Sequence, residues 1–285
     1  MVEGLRRLDV AGQHYEPLTP RDLAAVCDAR KTSFSPEFWM DHIRDESHYE
    51  IVARAKSTFD CRLLYDSWLW RAPLEEAVRC YGQRVVLELL PGSSLTIPVA
   101  LESIKYSGEL WQVNDELPTA IPRCFHFRHR WLDTRIGDLL CKPLQANIIV
   151  GNHIVDDLLF DSYCGEPGSR KRHYYDALLC KAAWASLARS RRLRPIQDAV
   201  TSLFTQMIEC MAYSSMLILR HYPSTFALMS DDLYRSNIEM ETYYEIAKAL
   251  SGCALCDAYF LDVSGVNAPA GSLYPASFLI ADKRP

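Results

Sequence analysis

The 285-residue chain lacks a long apolar run, an excess of positive charge, a zinc-type cysteine pattern and an internal repeat. Its most apolar long stretch, Cys210–Leu219, is too short and too punctuated by serine to span a bilayer, which takes about 20 apolar residues. The opening MVEGLRRLDVAGQHYEPL holds no apolar core of signal-peptide length. These absences read as a cytoplasmic protein without a membrane partner. A net charge of −5 argues against a nucleic-acid-binding surface. Ten cysteines are scattered singly, and only Cys253 and Cys256 have redox-like or metal-like spacing. No second pair or nearby histidine completes a zinc site, so the cysteines read as small packed hydrophobes and no metal is expected. The lack of repeats excludes a solenoid.

What is present is ordinary for a globular protein: 49% hydrophobic and 24% charged residues. Residues 1–16 read as a loose leader. From Thr19 to Gly82 the grammar is helical. Thr19-Pro20-Arg21-Asp22 supplies an N-cap, a proline at the first helical position and an acid in the first turn. Ser35-Pro36-Glu37 repeats that pattern. Helical segments follow over Tyr49–Phe59 and Leu63–Trp70, and a further helix starts at Ala72-Pro73 and stops at Gly82. No strand-like alternation interrupts this region. It is rich in aromatic residues, among them Tyr65, Trp68 and Trp70, which fill a helical core or line a lid over a neighbouring pocket. The expected organisation is a helical cap over residues 1–82 and a second domain over 83–285.

After Gly82 apolar runs alternate with helical segments, the signature of βαβ units around a parallel sheet. Strands are expected at Val85–Leu90, Glu109–Val113, Cys124–Trp131, Ala146–Val150, Ser215–Leu219, Asp257–Val263 and Ser277–Ala281, the last two joined as a long hairpin. The first four end in small or polar residues: Pro91-Gly92-Ser93, Asn114-Asp115, Asp133-Thr134 and Gly151-Asn152-His153. Open α/β sheets bind ligands at the carboxyl ends of their strands. Each of these residues also has a plain structural reading. Asp133 suits a helix N-cap, Asn114-Asp115 a turn, and Asp156-Asp157 the first turn of a helix.

With its strand ends in this order, the chain from Val85 to Lys283 resembles a class I S-adenosylmethionine-dependent methyltransferase. VLELLPGSS is similar to the family's first motif, although only Gly92 stands where two or three glycines are usual. The resemblance implies an α/β fold: a seven-stranded, doubly wound, Rossmann-like sheet with the last strand antiparallel, beneath the N-terminal helical cap. It implies S-adenosyl-L-methionine as cofactor. Glu88, Pro91, Gly92 and Ser93 would lie against its methionine part, Asn114 or Asp115 on the ribose, and Asp133 and Thr134 at the adenine edge. Gly151-Asn152-His153 would form the catalytic loop.

Methyl transfer from a sulfonium needs alignment and, for an O–H or N–H acceptor, removal of a proton. His153 is the candidate base, Asn152 orients the acceptor, and Asp156 or Asp157 orients the histidine. His221 and Tyr222, with Trp68 and Tyr65 from the cap, are the candidate acceptor pocket. A metal-dependent variant using Asp156 and Asp157 lacks an evident third ligand, and adjacent acids on a helix point about 100° apart. The expected substrate is a small molecule or a peptide-derived natural product; a homodimer is allowed. The rival reading is a catalytically silent, methyltransferase-like binding or scaffold protein.

Overall fold

In a computed structural model, residues 5–43, 45–55, 61–114, 125–165, 177–223, 233–263 and 277–283 are described. Strands are β1 (Arg6–Asp9), β2 (Val85–Leu89), β3 (Glu109–Asn114), β4 (Arg128–Asp133), β5 (Ile148–Asn152), β6 (Met216–Arg220), β7 (Cys256–Asp262) and β8 (Ser277–Lys283). They form one sheet in the order β1-β7-β8-β6-β5-β2-β3-β4. Strands β6, β5, β2, β3 and β4 run parallel, and β8 is antiparallel to both of its neighbours, β6 and β7. The expected seven strands are all there, with the last one antiparallel. The eighth strand is a correction. Arg6–Asp9 is not a loose leader but an antiparallel edge strand on β7, with Leu8 opposite Phe260. Its four residues carry too little alternation to announce a strand, and the existing edge of β7 supplies the pairing.

Helices cover both faces, as a parallel sheet requires. The first helix is α1 (Pro20–Ser33), and on one face of the sheet lie α2 (Pro36–Phe38), α3 (Glu46–Ala55), α4 (Cys61–Tyr81) and α5 (Thr96–Ser103). Of these, α2 to α5 share a core with Val86, Leu110, Ile148, Val150, Ile218, Phe278 and Ile280. The alternate strand residues, Leu87, Leu89, Val113, Ile149, Leu217, Leu219 and Leu279, face the second core. There they meet α7 (Val155–Cys164), α8 (Ala177–Arg189), α9 (Leu193–Cys210) and α10 (Leu233–Ser251), while the single-turn α6 (Ile136–Leu139) follows β4. The split follows from the strand period of two.

Local signals explain several boundaries. Ser35 Oγ accepts the Phe38 N–H at 3.1 Å, with Pro36 at the first helical position. Gly82 closes α4 in the left-handed region at φ +80°. The break expected at Ala72-Pro73 does not occur: α4 runs straight through a buried Pro73. Burial of the surrounding apolar face offsets the missing backbone hydrogen bond. Two strand ends also shift. β4 begins later than expected and carries Asp133 as its last residue, and β5 extends through Gly151 and Asn152.

Candidate functional site

The carboxyl ends of β2, β5 and β6 meet at the middle of the sheet. The chain leaves β2 through Leu90, whose N–H donates to Val113 O of β3 at 2.8 Å. It leaves β5 through His153, whose N–H donates to Arg220 O of β6 at 2.8 Å. The two exits therefore lean in opposite directions. The helix that follows β2, α5, lies on one face, and the helix that follows β5, α7, lies on the other. Such a reversal is a topological switch point, where open α/β sheets form a ligand crevice.

Both exit residues have left-handed backbones, Leu90 at φ +46° and His153 at φ +57°. Gly92 follows at φ +54°, and a Cβ built on it would meet nothing within 4 Å. The turn closes with Ser94 N–H on Pro91 O at 3.0 Å, and Ser94 Oγ then accepts the Thr96 N–H that opens α5. Pro91 is buried, while Gly92 and Ser93 are exposed at the crest of the turn. Between Leu90, the Thr134–Gly137 segment and Leu158, Asp161 and Ser162 of α7 lies a cavity of about 300 Å³. That is the low end of small-ligand sites.

Glu88 is buried beneath the turn. Its carboxylate accepts from Gln112 Nε2 at 2.6 Å, and Gln112 Oε1 is 2.9 Å from His129 Nε2. Burial pushes Glu88 up to about 8, against the opposing hydrogen bond from Gln112. Asn114 pairs through its backbone with Asp133 across β3 and β4. Asp115 lies outside the described residues. Asp133 is exposed and does not cap α6, whose N-cap position belongs to Arg135. Gly151 serves packing: a Cβ there would lie 2.6 Å from Ile154 Cδ1 and 2.8 Å from Leu219 Cδ2.

His153 stacks on Tyr222, with ring centroids 4.6 Å apart and 10° between planes, and on His221 at 4.8 Å and 16°. Its Nε2 is 3.5 Å from Asp156 Oδ2. His153, Asp156, His221 and Tyr222 therefore form one cluster. Asn152 is tied elsewhere, because its Oδ1 accepts from Trp70 Nε1 of α4 at 3.1 Å. Tyr65 and Trp68 pack edge-on against Trp39 inside the helical layer. Tyr65 also acts on the charge of Arg220, which sits over the Tyr222 ring, and Trp70 reaches the end of β5.

Four charged residues complete the surroundings, none of them expected from the sequence. Arg220 is fully buried, its Nη1 3.0 Å from Asp66 Oδ1 and its guanidinium 4.7 Å from the Tyr222 ring. Burial works to lower its affinity for the proton, and Asp66 more than reverses that. On the other face Arg235 Nη2 donates to Asp156 Oδ2 at 2.6 Å, and Arg235 Nε donates to Glu239. Glu239 Oε2 is 3.7 Å from His221 Nε2. Burial drives Asp156 up to about 7, helped by Glu239 and opposed by Arg235. Burial also works to raise Glu239, yet Arg235 and His221 hold it below the usual range. The available signals were an arginine closing the apolar MLILR strand and an Arg–Glu pair four apart on one helix face.

No family model matches the sequence, and no curated protein matches it significantly. Among solved structures, the plantazolicin methyltransferase BpumL in complex with SAH is similar over 92% of this chain and 96% of its own, at 8% identity and TM-score 0.45. The CurJ carbon methyltransferase is similar over 93% and 68%, at 10% identity and TM-score 0.44. Human N-acetylserotonin methyltransferase in complex with SAM is similar over 92% and 66%, at 9% identity and TM-score 0.37. At such identities and overlaps the likeness carries no residue correspondence and assigns no activity. No helix among the described residues is long and apolar enough to cross a membrane.

Proposed function

We propose that the chain is an S-adenosylmethionine-dependent methyltransferase that methylates an O or N atom of a small molecule or a peptide-derived natural product. The observation that carries this reading is the switch-point crevice, with a left-handed turn on the β2 side and a histidine cluster on the β5 side. The residues present fit the cofactor. Gly92 opens onto free space, and the neighbouring cavity runs from Leu90, at the start of the turn, to Thr134. When bound, the cofactor supplies a methyl group already activated on a sulfonium.

In this reading the protein's own work is positioning and proton removal. Leu90 to Ser93 shape the donor side, and Asp133 and Thr134 bound its far end. His153 takes the acceptor's proton at Nε2, with Asp156 beside that atom. Tyr222 and His221 hold the imidazole plane by stacking. Asn152, anchored by Trp70, fixes the strand end that presents the histidine.

Calorimetric titration with S-adenosylhomocysteine tests the reading. Micromolar binding to the wild-type chain is expected, with loss of at least about tenfold in Gly92→Val, because a β-branched residue is disfavoured at positive φ. No binding at millimolar ligand overturns the methyltransferase reading and leaves a silent binding protein.

A further inference from the structure

Charged side chains cluster behind His153. Asp156 and Glu239 are fully buried carboxylates, and Arg235 joins them.

Three side chains converge beside this group. Asp156 gives Oδ2 to Arg235, while its Oδ1 meets no hydrogen-bond partner among the described residues. His221 is fully buried, turns Nε2 toward Glu239 and has no hydrogen-bond partner at Nδ1. His153 brings Nε2 to 3.5 Å from Asp156 Oδ2, the oxygen that also accepts from Arg235. One donor atom from each of the three lies within 4.8 Å of the other two. A metal-bound histidine usually has a carboxylate on its other nitrogen, and a metal-bound carboxylate is usually hydrogen-bonded in turn. Glu239 and Arg235 occupy those two places.

We infer that His153, Asp156 and His221 form a binding site for a divalent first-row transition-metal ion. Two imidazoles and one carboxylate suit zinc, iron or cobalt better than magnesium or calcium. Bonds of about 2.1 Å allow donor separations up to about 4.2 Å, so on binding the cluster draws in by roughly half an ångström and one of the two near-parallel imidazoles turns to aim its nitrogen at the ion. Three protein ligands would leave at least one coordination position for water or a substrate oxygen. The inference rests on the methyltransferase reading for its purpose only. A bound cation would make His153 a ligand rather than the base, and would acidify an acceptor hydroxyl that then gives its proton to solvent.

The test uses the full chain, stripped with a chelator and dialysed against Co²⁺, with absorption spectroscopy and metal analysis. One Co²⁺ per chain is expected, with weak visible bands and no near-ultraviolet thiolate band; the Cys253→Ser chain should behave alike. His221→Asn should abolish binding. His153→Ala, at a less buried position, should weaken it by about tenfold or more while keeping a wild-type circular dichroism spectrum. Lack of binding at millimolar Co²⁺, a thiolate band, or unchanged affinity in His153→Ala overturns the site. S-adenosylhomocysteine is titrated into the same samples. Its binding without cobalt binding defeats the metal site alone, and cobalt binding without it defeats the methyltransferase reading alone.

Discussion

Replacing Asp66 with alanine should cost about 3–5 kcal/mol of folding stability, the range for breaking a buried ion pair from one side. The geometry places this pair in that range. Asp66 Oδ1 sits 3.0 Å from Arg220 Nη1, with 8% and 1% of the two side chains exposed. Without Asp66 the guanidinium keeps the faces of Tyr222 and Phe278, at 4.7 and 5.7 Å, and its Nε already lacks a hydrogen-bond partner. Cation–π contact returns only about 1–2 kcal/mol. An unfolding entropy of about 2.1 cal/mol/K per residue gives roughly 0.6 kcal/mol per degree for a chain of this length, so Tm should fall by about 5–8 °C in calorimetry. Asp66→Leu combined with Arg220→Met removes both charges and keeps the volume, and should recover most of the loss. A fall below about 2 °C in Asp66→Ala, or a double variant no more stable than the single one, would refute the buried-pair reasoning.

Glu88 is raised to about 8 by burial, so between its ordinary value of 4.5 and that value the folded protein holds a proton that the unfolded chain has lost. Its contribution is complete below pH 4.5 and declines by about 1.4 kcal/mol per pH unit toward pH 8. Glu88→Gln should flatten that slope in urea unfolding, and an unchanged slope would assign it to another group. Trp70→Phe keeps the ring contact with Phe278 but leaves Asn152 Oδ1 without its donor, at an expected cost of about 1–3 kcal/mol in the same assay. His153→Gly relieves a left-handed backbone while losing two ring stacks, so stability should stay within about 1 kcal/mol. Turnover, followed by release of S-adenosylhomocysteine, should fall by about 100-fold or more. A stability loss above about 3 kcal/mol would make His153 a structural residue instead.

The sheet was legible because its strands are nearly continuous apolar runs, such as Ile148–Val150 and Met216–Leu219, with polar breaks at the carboxyl ends. The edge strand Arg6–Asp9 was not, since four residues of mixed polarity have no period to read and depend on β7 for pairing. The site was half legible for a related reason. His153 and Asp156 are three apart on one turn, so local spacing brings them together. Arg235, Glu239 and Asp66 reach the same region from helices 70 or more residues away in sequence, and no local pattern encodes that meeting. Tyr65, Trp68 and Trp70 illustrate the limit within one helix. All three are aromatic, yet Trp70 bonds to the end of β5 while Trp68 packs on Trp39, and the helical period cannot say which face is which without the sheet.

The single glycine of the β2 turn takes on a different meaning beside the backbone angles. A family-type turn with two or three glycines makes left-handed conformations cheap. Here Leu90 takes up φ +46° without that help, and His153 does the same at φ +57° on the neighbouring parallel strand. Each left-handed non-glycine residue costs on the order of 1–3 kcal/mol and persists only where its surroundings enforce it. The enforcement is visible in both cases as one backbone hydrogen bond of 2.8 Å to the next strand outward. Those two bonds pull the exits of β2 and β5 apart, and their separation is what opens the crevice. The strain at Leu90 and at His153 is therefore a property of the site's shape rather than of either residue alone. Relieving it at Leu90 with glycine should leave the β2–β3 pairing intact and loosen the turn that bounds the donor side.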